Sequence, residues 1–195
     1  MGTQMKKDLL ILAFAAIIII VLFKGTKFQS VEDYYLTHVD DITEDSQTVT
    51  LSIRCDTILD NWDQLKPELQ DEKYVPADSV ILAPTKYVLR PKDTVFDILN
   101  RATRHEKIHM EYQGAQDNVY GSAYIQGINF LYEYSCGPLS GWMYRVNGAF
   151  PDYGCSRYKP KDKDIIEFVY TCDLGRDIGG SFDTQNDSKA TETEE

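Results

Sequence analysis

Residues 105–109 read His-Glu-Lys-Ile-His, a letter-for-letter match to H-E-x-x-H. On a helix, two histidines four residues apart share a face and can hold zinc, with the glutamate as general base. Such a centre also needs a third ligand and an open coordination position. The only other histidine is His38, in a polar stretch far upstream, and Glu111 is too close in sequence to return to the same metal. Periodicity points the same way. Val95, Ile98, Leu99 and Ala102 follow helical spacing behind the capping pair Thr94 and Asp97, which predicts a helix from about 94 to 104. Ile108, Met110 and Tyr112 then alternate with Lys107, His109 and Glu111, the period of a strand. Strand positions i and i+4 lie about 13 Å apart, too far for one zinc with ligand bonds of about 2.1 Å. The motif therefore reads as a junction. His105 ends a helix, where its charge suits the helix dipole, and His109 lies on a solvated strand face. No metal site is expected.

The cysteines are the second reactive set: Cys55, Cys136, Cys155 and Cys172. None forms a C-x-x-C pair, so neither a zinc knuckle nor a thioredoxin-like centre is expected. An even count behind an apolar N-terminal segment reads as two disulfides in an oxidising compartment. Four cysteines allow three pairings. Cys55 and Cys172 each end a strand on its apolar phase, and in a β-grasp sheet the first and last strands are parallel neighbours. The expected pairs are therefore Cys55–Cys172 and Cys136–Cys155, the second fastening the base of a hairpin. No G-x-S-x-G elbow, P-loop or G-x-G-x-x-G is present, and no carboxylate pair is marked by its context. A non-enzymatic chain without a cofactor is expected.

The elements that must position these residues follow from pattern. In TVTLSIRC, Val49, Leu51, Ile53 and Cys55 share one face, which reads as a strand. Residues 57–73 read as a short helical insertion carrying Trp62 and Leu65, stopped near Pro67. VILAPTKYVLR is extended, with Pro84 marking an edge or a bulge. After the helix come several strands, the last with Ile166, Phe168, Tyr170 and Cys172 in phase. The expected fold is α+β, a β-grasp-like mixed sheet with one main packed helix, preceded by an N-terminal transmembrane helix.

That helix is the apolar run Leu9–Phe23, flanked by lysines on both sides. It is short for a span of about 20 residues and also fits a signal-peptide core. No small-x-small cleavage site follows it, so an uncleaved signal anchor is expected, with Lys24 and Lys27 reaching the interface. The organisation is then an anchor over 1–27, an acidic stalk over 28–46, the domain over 47–180 and a disordered acidic tail over 181–195. The expected location is the cell membrane, single-pass, with the domain on the extracellular side; secretion after cleavage is the alternative. With a formal net charge of -11 and no basic stripe, nucleic acid is excluded as a partner.

The most unusual stretch is SGWMYRVNG, residues 140–148. Trp142, Tyr144 and Val146 alternate with Met143 and Arg145, and Asn147-Gly148 signals a tight turn. Phe150 and Tyr153 follow. Aromatic side chains in a strand commonly pack into the core; alternatively, the hairpin end presents aromatic faces and a polar Asn to a ligand. Together with SIRCDTILDN (52–61), VFDIL (95–99), YIQGIN (124–129), YGCSRY (153–158) and IIEFVYTCDLG (165–175), this stretch resembles the transcobalamin-like C-terminal domain family. The likeness covers about 48–180. It implies a bacterial cell-surface binding module of β-grasp type. In the cobalamin carriers this domain closes one side of the corrinoid site, and an α-helical barrel, absent here, supplies the other. The ligand implied is a corrinoid of the cobalamin type, contacted through Trp142, Tyr144, Asn147, Phe150 and Tyr153. The chain departs from the pattern at Ala149, where such domains commonly carry a second Trp, and at Asp162-Lys163, where the usual turn is Asp-Gly. The alternative function is a structural or adhesive surface domain whose aromatic hairpin contacts protein or glycan.

Overall fold

The computed structural model describes residues 40–180 and, apart from them, Lys7. The chain divides into two compact units, residues 1–41 and 42–195, and the elements below belong to the second. The apolar run 9–23, most of the expected stalk and the 181–195 tail lie outside the described residues. Among the described residues no helix is long and apolar enough to cross a membrane.

The fold is mixed α+β with two sheets rather than the single sheet expected. Strand β1 (Thr48–Arg54) lies inside a four-stranded sheet, between an antiparallel edge strand β2 (Val80–Val88) and a parallel partner β7 (Ile165–Thr171). Strand β6 (Gly141–Val146) runs antiparallel to β7 and forms the other edge. Strands β3 (Met110–Gln113), β4 (Tyr124–Ile128) and β5 (Leu131–Tyr132) make a separate antiparallel sheet. The separation begins at Asn129 and Phe130, whose φ values of 50° and 65° form a two-residue turn of the I′ kind. Asn129 Nδ2 also donates to the Tyr74 carbonyl at 2.9 Å, tying this hairpin to the segment before β2. The register of β1 against β2 jumps from Leu51↔Thr85 to Ile53↔Leu82. Ala83 and Pro84 are thus accommodated by a bulge in an edge strand, where proline costs no ladder bond.

Helix α2 (Val95–Glu106) covers the sheet through Val95, Ile98, Leu99 and Ala102, all fully buried. Its capping box forms as the sequence predicts: Thr94 accepts from the Asp97 N–H, and Asp97 accepts from the Thr94 N–H. The helix runs two residues past the expected end. Arg104 to Lys107 are all exposed, so the apolar period fades before the backbone stops. The stop is Lys107, held left-handed at φ 57°. The two histidines of the HEKIH stretch therefore lie on either side of a helix end. His105 is exposed beside Glu106. His109 is half-buried, not on a solvated face: its ring stacks on Phe130 at 4.2 Å between centroids. The 57–73 insertion is also more broken than expected, with one short helix α1 (Asp56–Asp60) and single 3-10 turns at Trp62–Gln64 and Pro67–Leu69.

Two apolar clusters hold the domain. The larger joins β1, α2 and β7 through Leu51, Ile53, Ile98, Leu99, Ile166 and Phe168. The smaller gathers Cys55, Ile58, Leu65, Val75, Leu131 and Cys136 around Tyr170. Tyr170 is 1% exposed; its O–H donates to the Tyr132 carbonyl at 2.6 Å and lies 3.0 Å from Ser140 Oγ. The four cysteines are free thiols, and the expected pairs are not joined. Cys136 belongs to the smaller cluster and Cys155 to the larger, so they do not fasten one hairpin base.

That hairpin is itself cut short. Asn147 and Gly148, at φ 52° and 79°, make the expected turn, and Val146 pairs with Ala149. No strand follows, because β6 takes β7 as its partner. Asn147 anchors this exchange. Its Nδ2 donates to Asp164 Oδ1 at 2.8 Å, and its Oδ1 accepts from the Ile165 N–H at 2.9 Å.

Two substitutions check these ties. Tyr170→Phe strands buried partners and should cost about 1–3 kcal/mol, seen as a lower urea midpoint at unchanged slope. Asn147→Ala should cost about 1–3 kcal/mol, through the two lost hydrogen bonds and the positive φ. Asn147→Gly should recover only the backbone share.

Candidate functional site

The strand β6 that carries the aromatic stretch has one partner, β7, and so one open side. Which groups face that side follows from register. The Asn147 N–H donates to the Ile165 carbonyl at 2.8 Å, which makes that opposed pair a bonded one. Bonded and non-bonded pairs alternate along an antiparallel ladder. Trp142 and Tyr144, opposite Tyr170 and Phe168, are therefore non-bonded positions. Their N–H and C=O groups point away from β7, and they have no partner among the described residues. Val146 obeys the same rule and uses its outward groups on Ala149, with bonds of 2.9 and 3.0 Å.

A cavity of about 200 Å³ lies along this open side. One wall is Trp142, Met143 and Tyr144 of β6. The facing wall is Tyr124 and Ile125 of β4, and Phe150, Pro151 and Cys155 close one end. Each aromatic is held by the fold. Trp142 Nε1 donates to the Leu131 carbonyl at 2.7 Å, and its ring stands edge-on to Tyr170. The Tyr144 hydroxyl donates to the Tyr153 carbonyl, and its ring stacks on Phe168 at 5.9 Å. Tyr153 stacks on Tyr158 at 5.6 Å and is 48% exposed.

Burial governs the electrostatics of these walls. Burial pushes the Tyr144 phenol up, away from ionisation. The Tyr124 phenol is raised by burial and by its bond to the Glu133 carboxylate. Burial lifts the Cys155 thiol to about 12, and its S–H lies 3.5 Å from the Ala123 carbonyl. At neutral pH the walls thus offer neutral rings, a protonated thiol and backbone amides, with one carboxylate, Glu133, bonded to Tyr124.

The five sequence-predicted contacts separate into two groups. Trp142, Tyr144 and Phe150 meet at the cavity. Tyr153 stands outside its lining, tied to it through Tyr144 and Tyr158. Asn147 is spent on Asp164 and Ile165, as described above. Sequence reasoning missed Tyr124, Ile125 and Met143. The first two come from β4, which no local period places opposite β6, and Met143 was assigned to the other face of its strand. It also missed a chain in which Tyr132 donates to Glu111 at 2.7 Å and lies 3.3 Å from His109 Nε2. Among the described residues, no three His, Cys, Asp or Glu side chains gather as a metal site.

No curated protein matches the chain. A crystal structure of a candidate metal-binding protein from Ruminococcus gnavus ATCC 29149 is similar at 9% identity and a TM-score of 0.34, over 64% of this chain and 96% of that one. Residues 92–171, from the approach to α2 through the end of β7, match the family model described as Domain of unknown function (DUF4430).

Proposed function

We propose that the domain is a non-catalytic binding module of β-grasp type, held outside the cell by its N-terminal segment, with its ligand site at the open side of β6. The observation that carries this reading is the pair of unpartnered backbone groups at Trp142 and Tyr144, set beside an apolar cavity. A ligand suited to them presents amides to the strand edge and one apolar group to the cavity. A corrinoid of the cobalamin type has this character, being flat with an amide rim. The cavity of about 200 Å³ is below the ~300–1,000 Å³ typical of pockets that enclose a whole ligand. The domain therefore grips one edge of such a molecule and leaves the rest to solvent or to a second protein. An extended segment of a surface protein is the second reading, favoured by one observation: Trp142 and Tyr144 expose their amides at the two-residue repeat of a strand, the arrangement used in strand addition.

Tryptophan fluorescence tests the reading. With Trp62→Phe, Trp142 is the sole reporter, since the chain has two tryptophans. Titration with cobalamin should give saturable quenching, and Phe150→Ala should weaken it roughly tenfold, the effect of losing about 1.4 kcal/mol of apolar contact. No quenching up to millimolar cobalamin would rule out the corrinoid. Strand addition predicts instead that a bound peptide slows amide exchange at Trp142 and Tyr144 but not at Met143, whose N–H is already bonded to β7.

A further inference from the structure

A second site lies at the other end of the sheet, away from the aromatic cavity. Cys172 directly follows β7, and Cys136 pairs as an isolated bridge with Leu65. Both sulfurs rest against α1 or the residue that caps its C-terminus. Cys136 Sγ lies 3.4 Å from the Asn61 carbonyl, and Cys172 Sγ lies 3.6 Å from Thr57 Oγ1. Asn61 and Thr57 are themselves joined, Asn61 Nδ2 donating to the Thr57 carbonyl at 2.8 Å. Cys136 and Cys172 pack in the same apolar cluster around Tyr170. They differ in access. Cys136 is fully buried, whereas Cys172 is partly exposed and lines a groove of about 470 Å³ with Asn61, Gln64, Leu139 and Asp177. Cys55 and Cys155 are buried at 0% and 3% exposure, and neither lines this groove.

We propose that Cys172 and Cys136 form a thiol–disulfide exchange site that reacts with small neutral or cationic disulfides entering this groove. The outer thiol attacks and the inner one resolves. The Cys172 thiolate displaces one sulfur of a disulfide R–S–S–R, forming a mixed disulfide and releasing one thiolate, RS⁻. Cys136 gives up its proton, attacks the Cys172 sulfur and releases the second RS⁻. Two electrons pass from the protein dithiol to the reagent, so that one dithiol and one R–S–S–R become one protein disulfide and two R–SH. The polarity of the pair fits these roles. The neighbouring Cys136 and the Thr57 hydroxyl hold the Cys172 thiol below its ordinary range, and the neighbouring Cys172 with burial pushes Cys136 up. Charge sets the preference among reagents. The Asp177 carboxylate accepts from the Cys172 N–H at 2.7 Å, while Asp173 beside it is paired with Arg176, so it is Asp177 that sets the groove against anions. This assignment replaces both expected pairs with a different one.

The reduced full-length chain is exposed to cystamine, a dicationic disulfide, or to oxidised glutathione, an anionic one. Alkylation and non-reducing peptide mapping follow. The expected product is one linked pair, Cys136–Cys172, with Cys55 and Cys155 alkylated only after denaturation. Cystamine should react at least tenfold faster than oxidised glutathione, and added salt should narrow the gap. Cys136→Ser should trap the mixed disulfide on Cys172, and Cys172→Ser should abolish it while leaving the far-ultraviolet circular dichroism unchanged. A Cys55–Cys172 or Cys136–Cys155 link, or four free thiols after exposure to cystamine, would overturn the proposal. So would a mixed disulfide that forms first on Cys136.

Discussion

The parallel pairing of β1 with β7 is the constraint on which the rest depends. Thr50↔Ile165 through Arg54↔Val169 joins the start of the domain to its end, and a parallel neighbour can only be reached by a crossover. Everything between residues 54 and 165 is that crossover. Helix α2 must cover the sheet, because both central strands are buried on the helix side by Leu51, Ile53, Ile166 and Phe168. With β1 and β7 in the middle, β2 and β6 are left as edges. The aromatic stretch lies on an edge strand for that reason, and its outward amides follow from register alone.

The two sites lie on the same strand pair at different points. Phe168 and Tyr170 are consecutive residues on one face of β7. Phe168 supports Tyr144 beside the cavity, and Tyr170 stands under Trp142 and anchors the smaller cluster. The Tyr170 hydroxyl fixes the Tyr132 carbonyl, which leads the chain through Ser135 into Cys136. Two residues beyond Tyr170 the strand delivers Cys172. One face of one strand thus sets the floor of the aromatic cavity and the position of the thiol pair.

Much of this could be read from pattern, where pattern is local. Thr94 and Asp97 announce the helix cap three residues apart, Asn147-Gly148 announces its turn, and Pro84 announces an edge. The phase of Ile166, Phe168 and Tyr170 gives the buried face of β7. What failed was long-range. The thiol neighbours depend on the path of residues 129–140, which turns on left-handed backbone at Asn129, Phe130, Tyr134 and Gly137. Three of these four are not glycine, so nothing in the sequence advertises the turns. The aromatic cavity depends on β4 lying across from β6, a relation between strands in different sheets. Asn147 was read as a ligand contact because it is polar beside aromatics, yet its amide is consumed in closing the turn. The HEKIH match fails for a local reason: a single left-handed lysine separates its two histidines.

The bulge in β2 has a consequence beyond its own strand. A sheet with two open edges can add copies of itself at both, and such growth has no natural end. Here Ala83 and Pro84 distort one edge, and a proline cannot donate to a new ladder. In this four-stranded sheet β6 is then the edge left to accept another strand. If two copies meet there, antiparallel pairing of β6 with β6 relates them by a two-fold axis and uses up the remaining edge of this sheet on each. Self-association through this sheet would then stop at a closed dimer instead of running on into a fibre.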